Sequence, residues 1–175
     1  RLLVFDISEN FWADIDTKED LRIAENDLFE RLVKHSGEGP ISKYINRRYS
    51  HILTRFFLHS PLTPNQISML SFLAITGSAF FLMSQEWSIV AIGGLLAQFA
   101  SILDGVDGEI ARVKLSASRF GAWFDTVLDR YGDITVITGA AIGAYTKNPS
   151  MFVMIVSILA LTGSILSSYS SHTFQ

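Results

Sequence analysis

Pro64 to Ser84 is a run of about 21 residues without a charged side chain, long enough as a helix to cross the hydrocarbon core of a bilayer. No other feature narrows the fold so much. Lipid offers the backbone no hydrogen-bond partners, so a lone spanning run of this kind must be helical. Three further apolar runs follow, Ser88 to Leu103, about Phe120 to Tyr145, and Ser150 to Tyr169. Between them stand Gln85-Glu86-Trp87, with an interfacial aromatic, and Lys147-Asn148-Pro149. The expected class is an all-α polytopic membrane bundle with about four spanning helices, and the positive mean hydropathy agrees. Thr63-Pro64-Asn65-Gln66 marks where the first span begins: a capping Thr, Pro at the first helical position and Gln at the third.

Most of the charge lies ahead of that run. Thr17 reads as an N-cap with Asp20 three positions on, and Leu21, Ala24 and Leu28 continue at helical spacing to about Lys34. His35 to Pro40 is loop chemistry, so the expected organisation is a soluble piece over 1–34, a juxtamembrane segment over 35–60 and a membrane domain over 61–175. Leu2 to Ile7 suits a buried strand, too little to support a sheet alone. Arg1 to Phe5 does not have the pattern of a signal peptide, and without an initiator Met the chain is expected to be part of a longer protein. From Ile41 to His59, apolar residues recur at helical spacing between Lys43, Arg47, Arg48 and Arg55. That pattern fits an amphipathic helix in the membrane interface, or a surface helix packed on the soluble part.

Lys43, Arg47, Arg48, Arg55, Arg112, Lys114 and Arg119 fall on one side of an up-and-down threading, and the opposite turns hold only Lys147. The positive-inside rule then puts the N-terminal part and the polar stretch on the cytoplasmic side of a multi-pass cell-membrane protein. A net charge of −3 and the lack of a basic stripe argue against nucleic acid as a partner. With no cysteine, disulfides, zinc–thiolate sites and thiol nucleophiles are excluded. His35, His51, His59 and His172 have no ligand-like spacing and read as solvated or interfacial.

The polar stretch from Asp104 to Asp133 interrupts the apolar pattern. Ionisable groups beside a membrane are costly and usually face a polar cavity that serves a function. Asp104 and Asp107 are three apart, and Asp125 and Asp129 four apart, so each pair shares one helix face. A short connection joins the two helices, so both pairs are expected to converge. Four carboxylates brought together repel unless a cation sits among them. All-oxygen ligation selects a hard ion, Mg²⁺ first and Mn²⁺ second. Two such ions would suit in-line displacement at phosphorus. Gly105 and Gly108 clear one helix face, Gly121 lies one turn before Asp125, and Arg112 and Arg119 can neutralise phosphate oxygens. Arg130 and Asp133 read equally as a structural ion pair or as acceptor-pocket residues.

Asp104-x-x-Asp107-Gly108-x-x-Ala111-Arg112, then Gly121, Asp125 and Asp129 at their present spacing, resembles the complete signature of the CDP-alcohol phosphotransferases. The resemblance covers about Pro61 to Tyr169. It implies that Asp104, Asp107 and Asp125 hold a dinuclear metal site, with Asp129 completing it and acting as general base. It further implies that Gly108, Ala111, Arg112, Ser118 and Gly121 line a cytidine-diphosphate pocket. Pro64-Asn65-x-x-Ser68 is similar to a second CDP-contacting element, which adds Asn65 and Ser68. Arg119 and Arg130 are candidates for binding acceptor or phosphate. The implied reaction transfers a phosphoalcohol group from a CDP-alcohol donor to an acceptor hydroxyl and releases CMP. Such proteins usually have six spanning helices, so about two are expected to be missing here, and a homodimer is the expected assembly.

Phe11-Trp12-Ala13-Asp14-Ile15-Asp16-Thr17 resembles the tail of soluble α/β nucleotidyltransferase-like domains, where an Asp can help bind a metal. Capping and packing roles for Asp14 and Asp16 compete with that reading. A cytidylyltransferase-like domain joined to this membrane domain is similar to bifunctional enzymes that make CDP-inositol and condense it with inositol phosphate. CDP-diacylglycerol-dependent phospholipid synthesis is the other reaction of this type. Two readings of another class compete: a divalent-cation transporter, and a non-catalytic anchor for a nucleotidyltransferase. Transport would put acidic residues near the midplane on several helices, and an anchor leaves the fixed glycines and Arg112 unexplained.

Overall fold

The computed structural model describes residues 14–33, 47–58 and 60–173. The strand expected at Leu2 to Ile7, the loop at His35 to Pro40 and the first part of the amphipathic segment, Ile41 to Asn46, lie outside them. The chain divides into two compact units, Arg1–Glu38 and Gly39–Gln175. Every regular element among the described residues is a helix.

In the first unit, α1 (Lys18–Val33) begins at the expected cap. The Asp20 backbone N–H donates to Thr17 Oγ1 at 3.2 Å, and the Thr17 N–H and hydroxyl donate to Asp20 Oδ2 at 2.9 and 2.7 Å. These bonds from Thr17 hold the Asp20 carboxyl below the usual carboxylate range. Asp14 and Asp16 are exposed and irregular. The α/β remnant expected from the sequence has no strand among the described residues.

The second unit comprises α2 (Arg47–Leu58), α3 (Pro64–Leu82), α4 (Trp87–Val113), α5 (Arg119–Lys147) and α6 (Met151–Thr173). The start of α3 is the expected capping box: the Gln66 N–H donates to Thr63 Oγ1 at 3.4 Å and the Thr63 N–H to Gln66 Oε1 at 2.9 Å. Helix α4 continues through the acidic residues Asp104 and Asp107 without a break. It ends in a Schellman motif, in which the Ser116 N–H reaches Ala111 O at 2.9 Å and the Leu115 N–H reaches Arg112 O at 3.1 Å. Ser118 then caps α5, accepting from the Gly121 N–H at 3.0 Å.

Helix α3 is the centre of the unit. Both α4 and α5 pack on it far more than on each other, α2 lies on α4, and α6 on α5. The α3–α5 approach is close because glycine allows it: a Cβ on Gly139 would stand 2.6 Å from the Ala79 carbonyl oxygen.

The interior is small and partly polar. Ile67, Val106 and Ile110 form its apolar cluster, backed by Leu53, Phe57 and Leu62, while Ser68, Ser71 and Ser78 on α3 are also buried. Large apolar side chains instead face outward, among them Leu73, Phe80, Leu95, Phe152 and Leu159. Such an inverted distribution is unfavourable in water and natural in lipid. Helices α3 and α4 are long and apolar enough to cross a membrane. Helix α5 carries the charged residues Asp125, Asp129, Arg130 and Asp133 in its first half, and the strongly apolar part of α6 is the shorter stretch Met151–Ser167.

Candidate active site

Two Asp pairs on helices that barely touch each other still meet, because both helices pack on α3. Carboxylate oxygens of Asp104, Asp107 and Asp125 all lie within 4.8 Å of one another. Asp129 is not in that close triad. Its carboxyl lies within hydrogen-bonding reach of Asp104, as that of Asp125 does of Asp107. The four aspartates thus form one cluster in which three are grouped to share a cation and the fourth stands at its edge. Asp107 is buried and accepts a hydrogen bond from the hydroxyl of Ser68 on α3.

The residues present fit a divalent metal ion. The donor set is carboxylate oxygen alone, the chemistry of a hard cation. Asp125 Oδ1 is buried and has no hydrogen-bond partner, although a buried carboxylate oxygen without one is costly. A cation held between Asp125 and its two neighbours would supply that missing interaction.

A cavity opens on each side of the cluster. One, of about 260 Å³, is lined by Asp107 and Asp125 together with Asn65, Ser68, Gly108, Ala111, Arg112, Ser118 and Gly121. Every residue expected to contact the cytidine diphosphate therefore lines one cavity. The local fit is tight: a Cβ on Gly121 would stand 3.1 Å from Ser118 Oγ and 3.2 Å from Asn65 Oδ1. At Gly108 the missing side chain leaves room for the Arg112 guanidinium, 3.5 Å from where a Cβ would be.

The other cavity, about 210 Å³, is lined by Asp104 and Asp129 with Ser71, Ser101, Arg130 and Asp133. Arg130 Nη1 donates to Asp133 Oδ2 at 3.0 Å, and Ser164 of α6 donates to the same oxygen at 2.7 Å. The two residues thus form an ion pair and also line a cavity. Arg119 stands exposed at the start of α5 and lines neither cavity.

Ser71, Ser101 and Ser164 were not among the expected site residues. Ser71 had a signal, since Ser68, Ser71 and Ser78 recur on one face of an otherwise apolar α3. Glu109 was also overlooked; it is buried and bonded to α2, on a different face of α4 from Asp107.

Residues 61–172 match the family model described as CDP-alcohol phosphatidyltransferase. The chain is 38% identical over 170 residues to a bifunctional IPC transferase and DIPP synthase of Aquifex aeolicus, covering 97% of this chain and 38% of that protein. It is 39% identical over 175 residues to the protein of the same name from Archaeoglobus fulgidus, covering 100% of this chain and 34% of the relative. The chain thus spans little more than a third of the length of these curated relatives. It is also 31% identical over 111 residues to an archaetidylinositol phosphate synthase of Pyrococcus horikoshii, covering 62% of this chain and 53% of that one. Among solved structures, Mycobacterium tuberculosis phosphatidylinositol phosphate synthase with CDP-DAG bound aligns with a TM-score of 0.61 and 26% identity, covering 70% of this chain and 60% of its own. With the family model matched over residues 61–172, from the start of α3 almost to the end of α6, the chain belongs to the CDP-alcohol phosphatidyltransferase family.

Proposed function

We propose that the protein transfers a phosphoalcohol group from a CDP-alcohol to an acceptor hydroxyl, releasing CMP. The observation that carries this reading is the position of the carboxylate cluster, whose members line one cavity of about 260 Å³ and another of about 210 Å³. A group-transfer enzyme needs donor and acceptor to meet at one reacting centre, and two cavities that share the aspartate cluster support that reading.

Asn65, Ser68, Gly108, Ala111, Arg112, Ser118 and Gly121 would hold the cytidine diphosphate, with the Arg112 guanidinium available to the phosphates. Two divalent cations, Mg²⁺ or Mn²⁺, held by Asp104, Asp107, Asp125 and Asp129 would supply positive charge to the pyrophosphate and the departing CMP. Asp129, at the edge of the cluster and facing the smaller cavity, would accept the proton of the acceptor hydroxyl. The hydroxyl oxygen forms a bond to the β-phosphorus, the bond from that phosphorus to the CMP oxygen breaks, and the proton ends on Asp129. Arg130 would orient the acceptor.

Four spanning helices, α3 to α6, with α2 in the interface and the cluster open to the cytoplasm, suit the outward apolar faces and the one-sided basic residues. For substrates we favour CDP-inositol and inositol phosphate. Relatives matching nearly the whole chain are named bifunctional IPC transferase and DIPP synthase, whereas archaetidylinositol phosphate synthase and phosphatidylinositol phosphate synthase match over shorter stretches. The full-length protein in detergent or nanodiscs should release CMP from CDP-inositol only when inositol phosphate and Mg²⁺ are both present. CMP release from CDP-diacylglycerol instead would move the assignment to phospholipid synthesis. No release from either donor would sink the transferase reading.

A further inference from the structure

Glu109 lies two residues beyond Asp107 in α4, and the proposed reaction does not use it. Its side chain is almost completely buried, yet it sits in a solvent-poor contact with α2 rather than in either cavity. Ser50 donates to its Oε1 and Thr54 to its Oε2, each at 2.6 Å, the distance of a charge-assisted hydrogen bond. Both donors are themselves buried, and as residues four apart they share one face of α2. His51 Nε2 stands 3.8 Å from Oε1. A buried carboxylate is costly unless its oxygens are bonded, so this contact admits few other arrangements of α2 on α4.

Each residue turns an α-helix by about 100°, so Asp107 and Glu109 point roughly 200° apart. The same turn of α4 is therefore tethered on opposite sides. Asp107 is bonded to Ser68 of α3, and Glu109 to Ser50 and Thr54 of α2. Lys114 reinforces the second tether, donating to Ser60 O at 3.0 Å and Leu62 O at 3.2 Å in the segment joining α2 to α3. Two polar anchors on opposite faces fix the rotation of a helix about its axis. Apolar packing alone allows small rolls, and a roll here would move Asp104 and Asp107 relative to Asp125.

We infer that Glu109 is a positioning residue: by locking α2 to the back of α4 it sets the rotation at which Asp104 and Asp107 face Asp125, and so tunes the affinity of the aspartate cluster for a divalent cation. The inference rests on the proposed cation-binding role of that cluster.

Mn²⁺ binding to the full-length protein, followed calorimetrically in nanodiscs without substrate, tests it. Glu109→Ala should weaken Mn²⁺ binding about tenfold, the lower end for removing an outer support of a metal site. Glu109→Gln, which keeps the shape and can still bond both hydroxyls, should restore most of the affinity. The Ser50→Ala/Thr54→Val double variant should weaken binding as Glu109→Ala does. Size-exclusion and thermal unfolding give the folded fraction, so each affinity refers to folded protein. Wild-type affinity in folded Glu109→Ala, or in the double variant should Glu109→Ala not fold, overturns the inference. Absence of Mn²⁺ binding in the wild type, or its persistence in Asp107→Asn, would instead overturn the cation site on which the inference depends.

Discussion

The hydroxyl of Ser68, one turn into α3, donates to the carboxylate of Asp107 in α4, joining the start of the central helix to the middle of the acidic cluster. Both residues are buried, and both line the larger cavity. Ser68→Ala leaves a buried carboxylate oxygen short of a donor and should lower stability by about 1–3 kcal/mol. Unfolding in the absence of divalent cations measures this directly. A change below about 0.5 kcal/mol would mean that water takes over the bond. Ser68→Thr keeps the hydroxyl and should lie nearer the wild type.

Asp129 differs from the other three aspartates in standing outside the close triad while facing the smaller cavity. Asp129→Asn keeps the size and a hydrogen bond toward Asp104 but cannot accept a proton. Turnover, read as CMP release, should fall by about a hundredfold or more, with binding of the CDP-alcohol largely retained. Loss of donor binding together with turnover would make Asp129 chiefly a metal ligand. Near-normal turnover would remove it from the chemistry.

What the sequence made legible was whatever depends on spacing along one helix. The cap at Thr63 and the spanning length of α3 need only local geometry, and each stands where expected, while of the two Asp pairs three members gather closely and Asp129 stands outside them. The gathering of Asn65, Ser68, Gly108, Ala111, Arg112, Ser118 and Gly121 around one cavity was available only through the family signature, because no period links positions on three elements. Glu109 was illegible for a physical reason. In Asp-Gly-Val-Asp-Gly-Glu the carboxylates look alike, and which of them faces α2 is decided by how α2 packs, a tertiary fact. The central place of α3 was equally hidden, since chain order suggests that α4 and α5 pair with each other.

Glycine positions separate close packing from open surface. A Cβ on Gly139 would lie 2.6 Å from Ala79 O and 2.9 Å from Ala79 Cα, atoms of a backbone that cannot swing aside. Gly139→Ala should therefore push α5 off α3 and cost about 1–3 kcal/mol, with reduced cation affinity because Asp125 travels with α5. On α6 a Cβ at Gly163 meets nothing within 4 Å. Gly163→Ala should stay within about 1 kcal/mol of the wild type. Thermal unfolding of the two variants in the same detergent compares them, and equal effects would contradict the close α3–α5 approach.

Leu115 is the one non-glycine residue with positive φ among the described residues, at 51°, and it occupies the position after α4 where glycine is the usual choice. A leucine Cβ in this conformation crowds the following carbonyl at a cost of about 1 kcal/mol. The side chain is 86% exposed, so burial gives little in return. Leu115→Gly removes the crowding but adds freedom to the unfolded chain, leaving an expected gain of about 0.5–1 kcal/mol. Leu115→Ala keeps a Cβ and should match the wild type. The comparison matters because this turn carries Ser116 and Ala117 along the rim of the larger cavity and leads directly to the Ser118 cap. If Leu115→Gly were stabilised yet bound the CDP-alcohol more weakly, the strained turn would be holding that rim in place. If it were destabilised, the exposed leucine would be contributing through contact with the bilayer surface, and repeating the unfolding in detergent and in nanodiscs would separate that contribution from backbone strain.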